Sequence, residues 1–146
     1  MTDEGPRAKP KKSYHQGRKR FEGAPVGELR FGGRVWVEKD GATYLAWGRV
    51  VLLEHIEQCG SISAAARSMG ISYRHAWLLV EKINALAPRP LVVAQKGGEK
   101  GGGAFLTPEG KKAVQGFWFL VSRFQSFLNE VSQDEELTHF FSKVGP

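Results

Sequence analysis

The sequence predicts a small, mainly helical α+β fold, and three observations carry that prediction. Between Arg49 and Leu86, apolar residues recur at helical spacing in three consecutive segments, each closed by glycine or proline. Two short stretches of strand-like residues flank them, one turning at Asp40-Gly41 and the other across a glycine-rich run. A longer stretch, from Pro108 to Val131, repeats apolar side chains at three- and four-residue steps, which calls for one long helix. With 146 residues and 41% apolar content, the chain can bury one core and no second domain is expected.

Charge divides the chain. The net charge is +6, and seven basic side chains (Arg7, Lys9, Lys11, Lys12, Arg18, Lys19, Arg20) stand in the first twenty residues against only Asp3 and Glu4. That segment lacks the apolar groups needed to offset its ordering entropy, so residues 1–25 read as a disordered basic tail that precedes a domain over 26–131. Residues 132–146, which include Asp134, Glu135 and Glu136, read as a short polar tail. Such a balance points to a polyanionic partner, and nucleic acid fits it better than lipid because the lysines have no apolar neighbours to insert. No apolar run approaches the roughly 18 residues that span a bilayer, so a cytoplasmic protein without membrane contact is expected.

The elements follow in order. Val35-Trp36-Val37, Lys39-Asp40-Gly41 and Thr43-Tyr44-Leu45 read as a β-hairpin. Arg49 to Cys59 reads as a first helix with Leu52, Leu53 and Ile56 inward, ended by Gly60. Ser61 to Ser63 offer N-cap hydroxyls to a short alanine-rich helix that stops at Gly70. Ser72 caps a third helix over Tyr73 to Leu86 with Ala76, Leu79, Val80 and Ile83 inward, and Pro88 and Pro90 prevent its continuation. Leu91 to Val93 and Ala104 to Thr107 read as two strands joined by the loop Gly97 to Gly103. Thr107 and Pro108 open the long helix, 108–131, whose seam of Val114, Phe117, Val121, Phe124, Leu128 and Val131 is widened by Trp118, Phe119, Leu120 and Phe127. That is more apolar surface than a helix hides against a small domain, so a second subunit is expected to cover it.

Helix, short helix, glycine turn, capped third helix, two-stranded loop and final helix is the order of a winged helix-turn-helix, in which the third helix enters the major groove of double-stranded DNA. Arg74 is the leading base reader, because a guanidinium bonds guanine at two points. Ser61, Ser63, Ser72, Tyr73, His75 and Trp77 surround it, and Lys96 and Lys100 in the glycine-rich loop are expected to meet phosphate.

Other chemistry is poorly provided for. A single cysteine, Cys59, excludes an intramolecular disulfide and a cysteine-based zinc cluster, and it reads as a small packed hydrophobe. His55 and Cys59 have a workable ligand spacing but nothing nearby to complete a metal shell. The glycine run lacks the Gly-Lys-Ser/Thr ending of a phosphate-cradling loop. No acid, base and nucleophile converge, so neither an enzyme nor a cofactor is expected.

From about Val35 to Leu128 the sequence resembles the DNA-binding domain of ModE-type molybdate-dependent regulators, relatives of the LysR-type domains. The residues that carry the likeness are Gly60-Ser61-Ile62-Ser63-Ala64-Ala65-Ala66, Gly70-Ile71-Ser72-Tyr73-Arg74-His75-Ala76-Trp77, Leu91-Val92-Val93, Gly97 to Ala104, and Leu106-Thr107-Pro108-Glu109-Gly110. The resemblance implies a homodimer built on the first and last helices, and it implies transcriptional regulation. It does not extend to the family's oxyanion-binding module, so molybdate is not carried over as a ligand. An adaptor that binds a regulatory protein, with weak or incidental DNA affinity, is the alternative that fold alone leaves open.

Overall fold

In the computed structural model, residues 19–95 and 102–142 are described. The element order is β1 (Phe21–Glu22), β2 (Gly32–Gly33), β3 (Val37–Lys39), β4 (Ala42–Leu45), α1 (Trp47–Cys59), α2 (Ile62–Met69), α3 (Tyr73–Leu86), β5 (Val92–Ala94), β6 (Ala104–Leu106), α4 (Pro108–Ser132) and α5 (Glu135–Phe141). The strands form three separate antiparallel pairs, β1 with β2, β3 with β4, and β5 with β6. The fold is therefore a mixed α+β one in which helices dominate.

The core gathers around α1, whose Val50, Val51, Leu52, Leu53 and Ile56 are all buried. A helix apolar around most of its girth needs neighbours on several sides, and α2, α3, α4 and β6 supply them. The alanines of α2 permit close approach, with Ala65 and Ala66 buried alongside Ile62 and Met69. Gly70 ends α2 at φ 69°, a left-handed conformation that a Cβ disfavours, and the chain then turns through Ile71 into the Ser72 cap of α3. The β3–β4 turn uses Asp40 (φ 54°) and Gly41 (φ 78°), the positive angles of a tight hairpin. Lys39 beside that turn donates from Nζ to the Leu86 carbonyl at 2.5 Å, satisfying an open acceptor at the end of α3.

Four features differ from the sequence expectation. Phe21 and Glu22, placed in the disordered tail, form β1, because the Phe21 ring is buried edge-on between Trp47 at 5.7 Å and Phe124 at 5.9 Å. The stretch 132–146, read as a polar tail, contains α5. Its acidic cluster is a helix start: Asp134 caps Leu137 N, and Glu135 and Glu136 occupy the first turn, where the helix dipole favours negative charge. Cys59 is exposed rather than packed, since the last turn of α1, Glu57 to Cys59, projects beyond the core.

The fourth difference concerns the seam of α4. Phe117 and Leu128 are buried within the protomer, Val114 and Val121 pack against the same core, and Phe124 lies under β1–β2 next to Phe21 and Gly33. The regular spacing thus marks the face α4 turns to its own domain. Phe119, opposite that face, and Phe127, on its flank, stay exposed, with Arg123 stacked on the Phe119 ring at 4.7 Å.

Candidate nucleic-acid interface

The α2–α3 pair, with its two caps, positions every described residue singled out as a DNA contact. Two serine caps fix the helix starts. Ser61 Oγ accepts from Ala64 N at 3.0 Å, and Ser72 Oγ accepts from His75 N at 3.0 Å. Both hydroxyls retain a proton to donate, but only Ser72 is exposed; Ser61 is half-buried. Ser63 lies exposed on the first turn of α2.

On α3, Ala76, Leu79, Val80 and Ile83 are buried and turn the opposite face outward. That face presents Tyr73, Arg74, His75, Trp77, Leu78 and Glu81, with Tyr73 56% and Trp77 40% exposed. Tyr73 and Trp77 stand one helical turn apart, so the two rings lie on one exposed face. Among the described residues, Arg74 has no carboxylate at ion-pair distance. The first-turn amides carry the positive end of the helix dipole, so this end of α3 favours an anion. Lys96 and Lys100 lie outside the described residues, as does the basic segment up to residue 18.

Arg67 was missed by the sequence reading. It is exposed one turn beyond Ser63 on the same face of α2, and among the described residues it too lacks an acidic partner. The i+4 spacing from Ser63 was the available signal. Asn84 was missed as well. Its amide faces β5, where Oδ1 accepts from Leu91 N at 2.9 Å and Val92 N at 3.2 Å, while Nδ2 donates to Val92 O at 3.0 Å.

The hairpin is anchored on its far side too. Ala104 N donates to the Gly60 carbonyl at 2.8 Å, and Leu106 N donates to Glu57 Oε2 at 3.0 Å, so the end of α1 holds β6. Outward from this frame, Val93 and Phe105 form an exposed cross-strand pair.

His55 belongs to a different place. Its Nδ1 lies 2.6 Å from Ser68 Oγ, whose own proton goes to the Ala65 carbonyl at 2.9 Å, so Nδ1–H donates in that bond. Burial lowers the His55 pKa below its ordinary 6.5. As pH falls below that ordinary value the unfolded chain takes up the proton first, and stability is lost until the folded pKa is passed. Thermal melts between pH 8 and pH 5 should therefore fall less steeply for His55→Gln than for the wild type; parallel curves would contradict this assignment. Among the described residues, no group of three His, Cys, Asp or Glu side chains is placed to hold a metal. No described helix is long and apolar enough to cross a membrane.

Comparison with known proteins finds no matching family model. Individual relatives do match. The chain is 41% identical to the molybdenum transport protein ModE of Azotobacter vinelandii over 104 residues, covering 71% of this chain and 38% of that protein. It is 40% identical to the transcriptional regulator ModE of Haemophilus influenzae over 89 residues, 61% of this chain and 34% of that protein. It is 44% identical to the molybdenum-pterin-binding protein MopB of Rhodobacter capsulatus over 102 residues, 65% of this chain and 37% of that protein. The matched segment thus spans little more than a third of these curated relatives.

Proposed function

We propose, from this relationship to the ModE family and from the exposed start of α3, that the chain is a sequence-specific double-stranded DNA-binding regulator of transcription. On this reading the fold is a winged helix-turn-helix, with α2 and α3 as the paired helices and β5–β6 as the wing. The observation that carries the reading is the capped N-terminus of α3, which holds Tyr73, Arg74, His75 and Trp77 in solvent with, among the described residues, no acidic partner within ion-pair reach of Arg74. An α-helix fits the major groove, its first-turn amides suit a phosphate, and Arg74 reads guanine. Ser63, Ser72 and Arg67 add backbone contacts, as do Lys96 and Lys100, while the hydroxyl of Ser61 chiefly holds α2.

A homodimer belongs to the same reading, with its interface moved from the buried part of the heptad-like seam to the adjoining flank of α4. Phe127 is exposed there, beside half-buried Leu120 and the seam's last member, Val131. Two copies joined through that edge would present two α3 helices to half-sites at a fixed spacing.

Selection of sites from random duplex DNA at near-physiological salt tests the reading. Enrichment of a palindromic motif is expected, and Arg74→Ala should lose about 1–3 kcal/mol of discrimination at one base pair per half-site. Folded protein that enriches no motif, or an Arg74→Ala variant with unchanged preference, would move the assignment to a protein-binding adaptor.

A further inference from the structure

We infer that Asn84 is a positioning residue for nucleic-acid binding, which sets the attitude of the β5–β6 hairpin relative to α3; the inference rests on the reading just given. Asn84 stands in the last turn of α3, well away from the exposed first turn, and is half-buried. Its single amide makes three hydrogen bonds to the backbone of Leu91 and Val92, the residues that open β5. Between α3 and β5 the chain runs through Ala87, Pro88, Arg89 and Pro90, and among the described residues the only backbone–backbone hydrogen bond from this link is Ala87 N to Ile83 O. That bond closes α3 but does not tie it to β5. Asn84 does.

The tie continues beyond β5. The Leu91 carbonyl accepts from Thr107 N at 3.0 Å, and Thr107 Oγ1 both donates to the Pro90 carbonyl at 2.7 Å and caps α4 by accepting from Gly110 N at 3.0 Å. One amide side chain therefore joins the helix proposed to read bases to the hairpin proposed to meet phosphate, and to the start of the longest helix. A protein that engages groove and backbone together must hold those two surfaces at one angle. Leucine fills a similar volume and makes none of these bonds.

The experiment compares the full chain with Asn84→Leu and Asn84→Asp. Aspartate keeps the acceptor for Leu91 N and Val92 N and loses the donor to Val92 O. Affinities for the selected duplex and a scrambled one are measured across a salt series, and backbone residual dipolar couplings report the hairpin's orientation to α3. For Asn84→Leu, both duplexes should weaken by a common factor, with the salt slope shallower by about 1–2, roughly one for each phosphate that the hairpin no longer neutralises. The ratio between duplexes should hold, since α3 keeps its side chains. Asn84→Asp should fall between Asn84→Leu and wild type, and it keeps the comparison intact should leucine prevent folding. Unchanged slope and couplings in both variants would overturn the inference, and so would a collapsed duplex ratio, which would place the effect on α3 itself. If wild-type protein prefers neither duplex, the regulator reading fails on its own, and the couplings still decide whether Asn84 orients the hairpin.

Discussion

Phe117→Ala is expected to destabilise the protein by about 3–5 kcal/mol, measured as a lower denaturant midpoint at unchanged slope. The ring is 2% exposed and sits where α4 meets the α1 core, edge-on to Trp118 at 5.6 Å. Trp118 in turn donates to Glu54 Oε1 at 2.6 Å and packs edge-on against Trp47 at 4.9 Å, so neighbours are held from two sides and collapse poorly into a vacated volume. Against a typical total of about 5–15 kcal/mol, such a loss removes much of the stability. Phe127→Ala removes the same atoms from a side chain that is 55% exposed and should cost well under 1 kcal/mol in the isolated protomer. Its expected effect is on self-association, read by sedimentation across concentration. A Phe127 variant that unfolds while Phe117→Ala stays stable would reverse the orientation of α4 described here.

Gly110→Ala should also destabilise, by about 1–3 kcal/mol, although alanine ordinarily stabilises a helix relative to glycine. A Cβ at Gly110 would overlap the Leu91 carbonyl oxygen and come within 3.1 Å of its carbon and 3.3 Å of Leu106 Cβ. The Leu91 atoms are backbone already held by Asn84 and Thr107, so they cannot move aside without breaking hydrogen bonds. Gly116→Ala is the control. It lies on the same helix with nothing within 4 Å of an added Cβ, and it should raise the melting temperature through roughly 1 kcal/mol of helix propensity. Equal effects at the two positions would show that α4 does not approach Leu91 so closely.

These results bear on how far the sequence could be read. The hydroxyl caps at Ser61, Ser72 and Thr107, the stops at Gly60 and Gly70, and the Asp40-Gly41 turn all lie where local chemistry puts them. Each acts on backbone within about four residues, so adjacency alone identifies it. The outward set on α3 follows from the inward set by the 3.6-residue period. Asn84 gave no such sign, because its partners lie seven and eight residues on, across two prolines. The same limit hid β1, whose Phe21 finds its ring partner in Phe124, and the docking of α5, whose Phe141 meets Phe31 at 6.1 Å; the start of α5 was itself marked locally by the Asp134 cap.

What the sequence determined by itself, then, was the order, approximate ends and apolar stripe of the first four helices, since these depend on caps, turns and periodicity. Only the tertiary structure decided which surface each stripe meets. Val114, Phe117, Val121 and Leu128 form the same 3–4 pattern whether they face another subunit or their own core. Periodicity specifies a direction around a helix axis and carries no record of what lies there; α1, β1 and β2 occupy that side of α4, leaving Phe119 and Phe127 to face outward.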